Sequence, residues 1–394
     1  MTNRCLKMLI NWTALALAAS VPLFAHNSQQ TQNSDLAVEC QLTGPMAVAL
    51  APGQPARYTV TGQLCATKDE LSDGTTVQLL IHGATYNRDY WDFGTINGIR
   101  YSYARETAAH GFPTFALNQL GAANSSRPAS AEITVEAAAY VAHQIVQKLR
   151  DGSISGVRFG KVIIIGHSLG STAVWQEAIT YGDVDGVVVT GAAHSLASAF
   201  INFTPAPFYP ATDDPKFANS GLDTGYLTTV PGVRSALFYS SPDYDPAIIL
   251  QDERRKDVVS ATELSTGIQL VTSNATQAIQ VPVLTILGSN DLTTCGANPQ
   301  GGNFDCSFGA IVATQEAPFY SSKAQLHACV IPASGHDVNL AVNHVLSAAD
   351  SVAWSFAFVG QPTHSREAFD GGYRGLPWND GLPWNCGGPS KQSE

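Results

Sequence analysis

The stretch 162-VIIIGHSLGSTA-173 decides the fold. Val162 to Ile165 are four branched apolar residues without alternation, the pattern of a strand buried on both faces. From Ser171 to Tyr181 the sequence reads as a helix. Between them stands Gly166-His167-Ser168-Leu169-Gly170. A serine on so tight a strand-to-helix turn has a strained backbone. The glycines two before and two after it are required because a β-carbon there would collide with the neighbouring strand and helix. The turn lifts the hydroxyl above the carboxyl edge of the sheet, where open α/β sheets bind ligands. The helix behind it offers unpaired N–H groups and a positive dipole end to a developing anion.

Outward from this stretch, short apolar runs alternate with helical patterns. The spacing predicts strands over 57–64, 76–82, 112–117, 161–166, 186–191, 281–288 and 327–333. It predicts helices over "RYSYARETAAHG", "SAEITVEAAAYVAHQIVQKLRDG", "LGSTAVWQEAITYG" and "NLAVNHVLSAADSVAWSFAF". Val141, Ile145 and Leu149 recur at four-residue spacing in the second of these, and Gly152 closes it. Strand–helix repetition implies an α/β fold, with a mostly parallel sheet flanked by helices.

Two regions break the rhythm. Residues 195–281 separate two core strands by far more than an ordinary crossover and are rich in Pro, Phe and Tyr. They read as a cap inserted between the strands at 186–191 and 281–288, splitting the core into 26–194 and 282–359. Aromatics such as Phe203, Phe208, Tyr226 or Phe238 are expected to face the pocket beneath it. Residues 360–394 read as a Gly/Pro-rich extension with two copies of "GLPWN".

The chain of 394 residues has 13% charged residues and a net charge of −11. It has no basic run to neutralise phosphates, which argues against a nucleic-acid partner. Residues 1–25 read as a secretory signal peptide, with Arg4 and Lys7 ahead of an apolar core. Cleavage falls after Ser20 or Ala25. No other stretch could cross a bilayer, so the reading is a secreted protein without a stable membrane anchor. Six cysteines remain after cleavage: Cys40, Cys65, Cys295, Cys306, Cys329 and Cys386. An even count in an oxidising compartment suggests up to three disulfides. The glycine-rich loop from Asp291 to Cys306 favours a Cys295–Cys306 bond, which contributes somewhat under ~3 kcal/mol by the chain-entropy model. Cys40–Cys65 and Cys329–Cys386 are then the other pairs. Sequons at Asn124, Asn202 and Asn274 permit glycosylation.

A serine needs a base to take its proton. "VPVLTILGSNDLTTC" ends a strand and puts Asp291 in the next turn. "HACVIPASGHDVNL" does the same for His336. Ser168, Asp291 and His336 follow the order Ser, Asp/Glu, His expected of this architecture. Asp305 is the rival acid, although it follows no strand. His167 is expected to pack behind the nucleophile, His194 to edge the pocket, and Asp337 to cap the next helix. The oxyanion donors are expected to be the backbone N–H of Leu169 and an amide after His82-Gly83, at Ala84 or Thr85.

With these pieces in place, the chain resembles a serine hydrolase of the α/β-hydrolase superfamily with an inserted cap. The matching motifs are "LLIHGATYNRDYWD", "GHSLG", "PVLTILGSND" and "ASGHDVN", spread over residues 76 to about 358. More narrowly it is similar to secreted bacterial and fungal hydrolases of unassigned substrate. The resemblance implies Ser168 as nucleophile, Asp291 as acid, His336 as base, and Ala84 with Leu169 as oxyanion donors. It implies no metal and no organic cofactor. "NQLGAANSS" at 118–126 departs from the Asp-x-x-Gly-x-Gly-x-Ser motif of many relatives, in a loop expected to border the pocket. A serine nucleophile argues against the dehalogenases and epoxide hydrolases of this fold. The function expected is hydrolysis of a carboxylic ester or lactone with an apolar body through an acyl-enzyme, the partner being that small molecule. The alternatives are acyl transfer or lactone tailoring in secondary metabolism, and a non-catalytic binding protein on the same fold.

Overall fold

The computed structural model describes residues 37–239, 244–299, 301–360 and 385–389, with the strand residues 378–379 and 382–383. The signal-peptide reading of 1–25 and most of the 360–394 extension lie outside the described residues. Within them, one large sheet carries the core. Its strands are β1 (Glu39–Val48), β2 (Tyr58–Ala66), β3 (Thr76–Ile81), β4 (Thr114–Asn118), β5 (Lys161–His167), β6 (Gly186–Thr190), β7 (Val283–Gly288), β8 (His327–Ile331) and β9 (Cys386–Gly387). Their order across the sheet is β1-β2-β4-β3-β5-β6-β7-β8-β9. The run from β4 to β8 is parallel, and β1, β2 and β9 are antiparallel. The parallel strands are buried along almost their whole length, as their unbroken apolar runs require.

Helices cover both faces. α1 (Tyr103–Ala109), α2 (Val135–Asp151) and α3 (Leu169–Thr180) belong to the first half. Thr134 caps α2 by accepting from Ala137 N–H, and Gly152 ends it in the left-handed region. Its buried stripe runs through Val141, Ile145 and Leu149. The inserted segment adds α4 (Val233–Leu237), α5 (Pro246–Arg255) and α6 (Ala261–Val271) with a small three-stranded sheet. α7 (Gly309–Glu316) and α8 (Val345–Phe358) complete the core.

Several elements differ from the sequence pattern, α7 and β9 among them, which it did not predict. β1 was not expected; it is an edge strand whose side chains are mostly exposed, so it lacks the apolar run of its neighbours. α8 starts at Val345 rather than near Asn339. Val338 and Leu340 are buried in a turn there, and the Asn339 side chain accepts from the Ser347 hydroxyl.

Disulfides join Cys40 to Cys65, Cys295 to Cys306 and Cys329 to Cys386. Asn124, Asn202 and Asn274 are all exposed. Among the described residues no helix is long and apolar enough to cross a membrane.

Candidate active site

β5 runs into Ser168 and α3 begins at Leu169. Ser168 has φ 53° and ψ −122°, a conformation that L-residues rarely adopt. Its N–H donates to Thr190 O at 2.8 Å, which ties the turn to β6. A β-carbon at Gly166 would sit 2.5 Å from Ser171 Cα, and one at Gly170 would sit 2.4 Å from His82 O. The two glycines therefore let strand, helix and the end of β3 close on one another. Ser168 is half-buried while both its neighbours are buried, so the turn presents the serine side chain to the cleft.

Asp291 lies three residues past β7 and His336 five past β8. His336 Nδ1 meets Asp291 Oδ2 at 2.9 Å. The other carboxylate oxygen accepts from Thr293 N–H at 2.8 Å and from the Thr293 hydroxyl at 2.7 Å. The same hydroxyl lies 2.8 Å from His336 Nδ1. Thr293 was not singled out from the sequence, because an Asx turn two residues after an acid looks like ordinary loop chemistry. With Nδ1–H donated to the carboxylate, Nε2 is left as the basic nitrogen.

Burial pushes the His336 imidazole down, but the Asp291 carboxylate outweighs it and its pKa is raised. Burial pushes the Asp291 carboxyl up, but His336 and Thr293 outweigh that and its pKa is lowered. Only neutral imidazole accepts a proton, so kcat/KM is expected to rise with pH through an acid limb centred above 6.5. A limb centred below that value in a pH–rate profile with p-nitrophenyl butyrate contradicts this.

The Asp291 turn continues into the Cys295–Cys306 loop, and Cys295 N–H donates to Asp291 O at 2.9 Å. Asp305 is turned away: its carboxylate accepts from Ser307 N–H.

On the other side, β3 ends and His82-Gly83-Ala84 follow. His82 is buried, and burial pulls its pKa down to about 4. It is therefore neutral, with Nδ1–H donating to Gly83 O at 3.0 Å and Nε2 accepting from Gln119 N–H at 3.2 Å. That fixes the loop in which Ala84 sits. Among the described residues no hydrogen bond uses the N–H of Ala84 or Leu169. Thr85 lies at φ 62°.

Ser168, His336, Ala84 and Leu169 line one cleft enclosing about 670 Å³, its open mouth included. From the inserted segment Leu196, Phe200, Phe208, Phe238, Leu264, Ile268 and Val271 contribute apolar walls. The side chains carry no fixed charge.

Several expectations need correction. Of the aromatics named for the pocket, Phe208 and Phe238 line it and Phe203 and Tyr226 do not; Tyr226 is buried in the main core and its hydroxyl donates to Pro128 O. Phe200 lines the cleft instead. The 118–126 loop contributes nothing to the lining. It docks on the insert, where Ala123 N–H donates to Asp257. His194 does not edge the cleft: it stacks between Trp175 and Phe319 and pairs with Glu316 at 2.8 Å. Asp337 caps no helix. Its buried carboxylate accepts from the Tyr86 hydroxyl at 2.5 Å and meets His167 Nε2 at 3.1 Å.

Among the described residues, three clusters bring together metal-ligating side chains. Two are disulfide cysteines beside an acid, whose sulfurs are not thiolates. The third, His143, Glu177 and Asp183, lies where α2 meets the far end of α3 from Ser168. None includes Ser168, Asp291 or His336.

Residues 78–349 match the model of the alpha/beta hydrolase family. No curated protein matches the chain. A soluble variant of monoglyceride lipase from Saccharomyces cerevisiae, solved with a substrate analog, is 13% identical. The match covers 78% of this chain and 95% of that one at a TM-score of 0.51. The monoacylglycerol lipase of Paleococcus ferrophilus is 17% identical, with 76% and 99% covered and a TM-score of 0.49. A carboxylesterase of Bacillus subtilis is 15% identical, with 82% and 92% covered and a TM-score of 0.49. At 13% identity the likeness to the yeast enzyme speaks to the fold alone.

Proposed function

From the premise that this chain belongs to the alpha/beta hydrolase family, we propose that it is a secreted serine hydrolase of carboxylic esters or lactones. The observation that carries the reading is His336, paired with the buried Asp291 at 2.9 Å and lining one cleft with Ser168 on its strained turn. Ser168 Oγ attacks the carbonyl carbon while His336 Nε2 takes its proton. Asp291 holds the imidazole in the required tautomer and balances its charge. The N–H groups of Ala84 and Leu169 stabilise the oxyanion. As the tetrahedral centre collapses, the C–O bond breaks and His336 returns the proton to the leaving alcohol. Water, activated by His336, then attacks the acyl-Ser168 ester and frees the acid. No step requires a metal or an organic cofactor.

The apolar walls fit a substrate with an uncharged, apolar body, and the inserted segment serves as the cap. The three disulfides are compatible with a secreted protein. A panel of p-nitrophenyl esters of rising acyl length tests the activity. Turnover is expected on at least part of the series, and folded protein silent on every ester and lactone contradicts it.

Gly267 in α6 lets the insert pack closely on Leu169 and Thr172 of α3 at the cleft wall. A β-carbon there would lie 2.5 Å from Leu169 Cδ1 and 2.8 Å from Thr172 Oγ1. Gly267→Ala is expected to cost long acyl esters roughly tenfold in kcat/KM and acetate far less, because apolar pockets discriminate by about 1–3 kcal/mol per methylene. Equal losses along the series contradict this.

A further inference from the structure

The turns that carry Ser168, His336 and Ala84 each have a buried polar neighbour, and these neighbours are joined to one another. His167 precedes Ser168, Asp337 follows His336, and Thr85 with Tyr86 follows Ala84. Arg234, Tyr239 and Asp252 come from the inserted segment. All are buried.

Arg234 is the hub on the insert's side. Its Nε and Nη2 donate to the two oxygens of Asp252, both at 2.8 Å. Its Nη1 donates to Thr85 Oγ1 at 2.8 Å. The guanidinium carbon lies 4.0 Å from the Tyr86 ring centre and 5.3 Å from that of Phe238, and both rings line the cleft. The Tyr86 hydroxyl sits between two acids, 3.1 Å from Asp252 Oδ2 and 2.5 Å from Asp337 Oδ2. Tyr239 also donates to Asp252, at 2.9 Å. Asp337 in turn meets His167 Nε2 at 3.1 Å, and its N–H donates to Phe238 O at 3.1 Å.

A cover over an apolar cleft does not need such a cluster. Burying a guanidinium and two carboxyl groups costs several kcal/mol per ion, and apolar packing of the same volume is often as stable. What the cluster supplies is fixed geometry between separate segments. Thr85 makes the point: this β-branched residue sits at φ 62°, held by Arg234 on its side chain and by Asp257 N–H on its carbonyl at 2.7 Å. Both holds come from the insert, and Thr85 is bonded to Ala84.

We propose that Arg234 and Asp252 are positioning residues for the reaction, acting through the Tyr86 hydroxyl on Asp337 and through Thr85 on the oxyanion loop. The insert is then part of the catalytic apparatus as well as a wall of the cleft. This rests on the ester-hydrolase reading above.

Tyr86→Phe removes one hydroxyl and keeps the ring; Arg234→Lys keeps the charge and loses the fork. Both are compared with the full-length parent on p-nitrophenyl butyrate, with melting temperature and near-ultraviolet circular dichroism as controls. Each is expected to lose about tenfold to a hundredfold in kcat, the scale of a misplaced catalytic group. KM should stay within ~3-fold. Fluorophosphonate labelling should slow in parallel with kcat. Tyr86→Phe combined with Asp337→Asn should cost no more than the worse single change, since both cut one path. Should Arg234→Lys fail to fold, Tyr86→Phe decides alone. Folded Tyr86→Phe with unchanged kcat, or with its loss confined to KM, overturns the inference. If Ser168→Ala is inactive in that case, the hydrolase reading stands without it; if Ser168→Ala keeps full activity, both fall.

Discussion

Ser168→Ala is expected to lower kcat roughly 10⁶-fold, the order seen when a nucleophile that works as part of a unit is removed. The expectation rests on three features gathered around one cleft. Ser168, on its strained backbone, lines the cleft. Ala84 and Leu169 line the same cleft, and among the described residues no hydrogen bond uses their N–H groups. His336, its Nδ1 bound to Asp291, keeps a basic nitrogen for the proton. Alanine removes only an oxygen that faces the cleft, so the melting temperature should move by no more than a few degrees. His336→Ala should stop covalent labelling of Ser168 as well, because the serine loses its base. Steady-state turnover of p-nitrophenyl butyrate by the purified variant checks the first claim. Activity within tenfold of the parent contradicts it.

Asp291→Asn is expected to cost roughly 10⁴-fold in kcat, for a reason specific to this turn. Asp291 Oδ1 already accepts from the Thr293 N–H and hydroxyl. In the asparagine variant the amide oxygen must stay there, and the NH₂ group then faces His336 Nδ1. That nitrogen can only accept from it, so the ring proton moves to Nε2, and Nε2 can no longer take a proton from the serine. Asp305→Asn is the control, since its carboxylate serves a local turn. It should stay within ~3-fold of the parent. A larger loss in Asp305→Asn than in Asp291→Asn would reassign the acid.

The parallel core was readable from the sequence because strands buried on both faces leave unbroken apolar runs, as at Val162–Ile165 and Val187–Val189. The turns bearing Ser168, Asp291 and His336 were readable because each follows such a run directly. What was not readable depends on contacts far apart in the chain. The Tyr86 hydroxyl and Asp337 are 251 positions apart, and Arg234 and Thr85 are 149 apart. No local period marks them, so Asp337 looked like a helix cap and nothing in the sequence singled out Arg234. β1 escaped notice for a different reason: an edge strand with an exposed face has too little apolar signal to stand out. Among the aromatics of the insert, richness in Phe and Tyr said that something is buried but not which rings face the cleft. Phe208 and Phe238 do, whereas Tyr226 turns into the core.

The most direct test of the account is to incubate the native, full-length protein with a fluorophosphonate and map the adduct by peptide mass spectrometry. The account predicts a single adduct on the peptide bearing Ser168, formed at a rate that follows the acid limb of the pH–rate profile and abolished in His336→Ala. An adduct on any other serine, or no adduct from protein that still turns over esters, would contradict it.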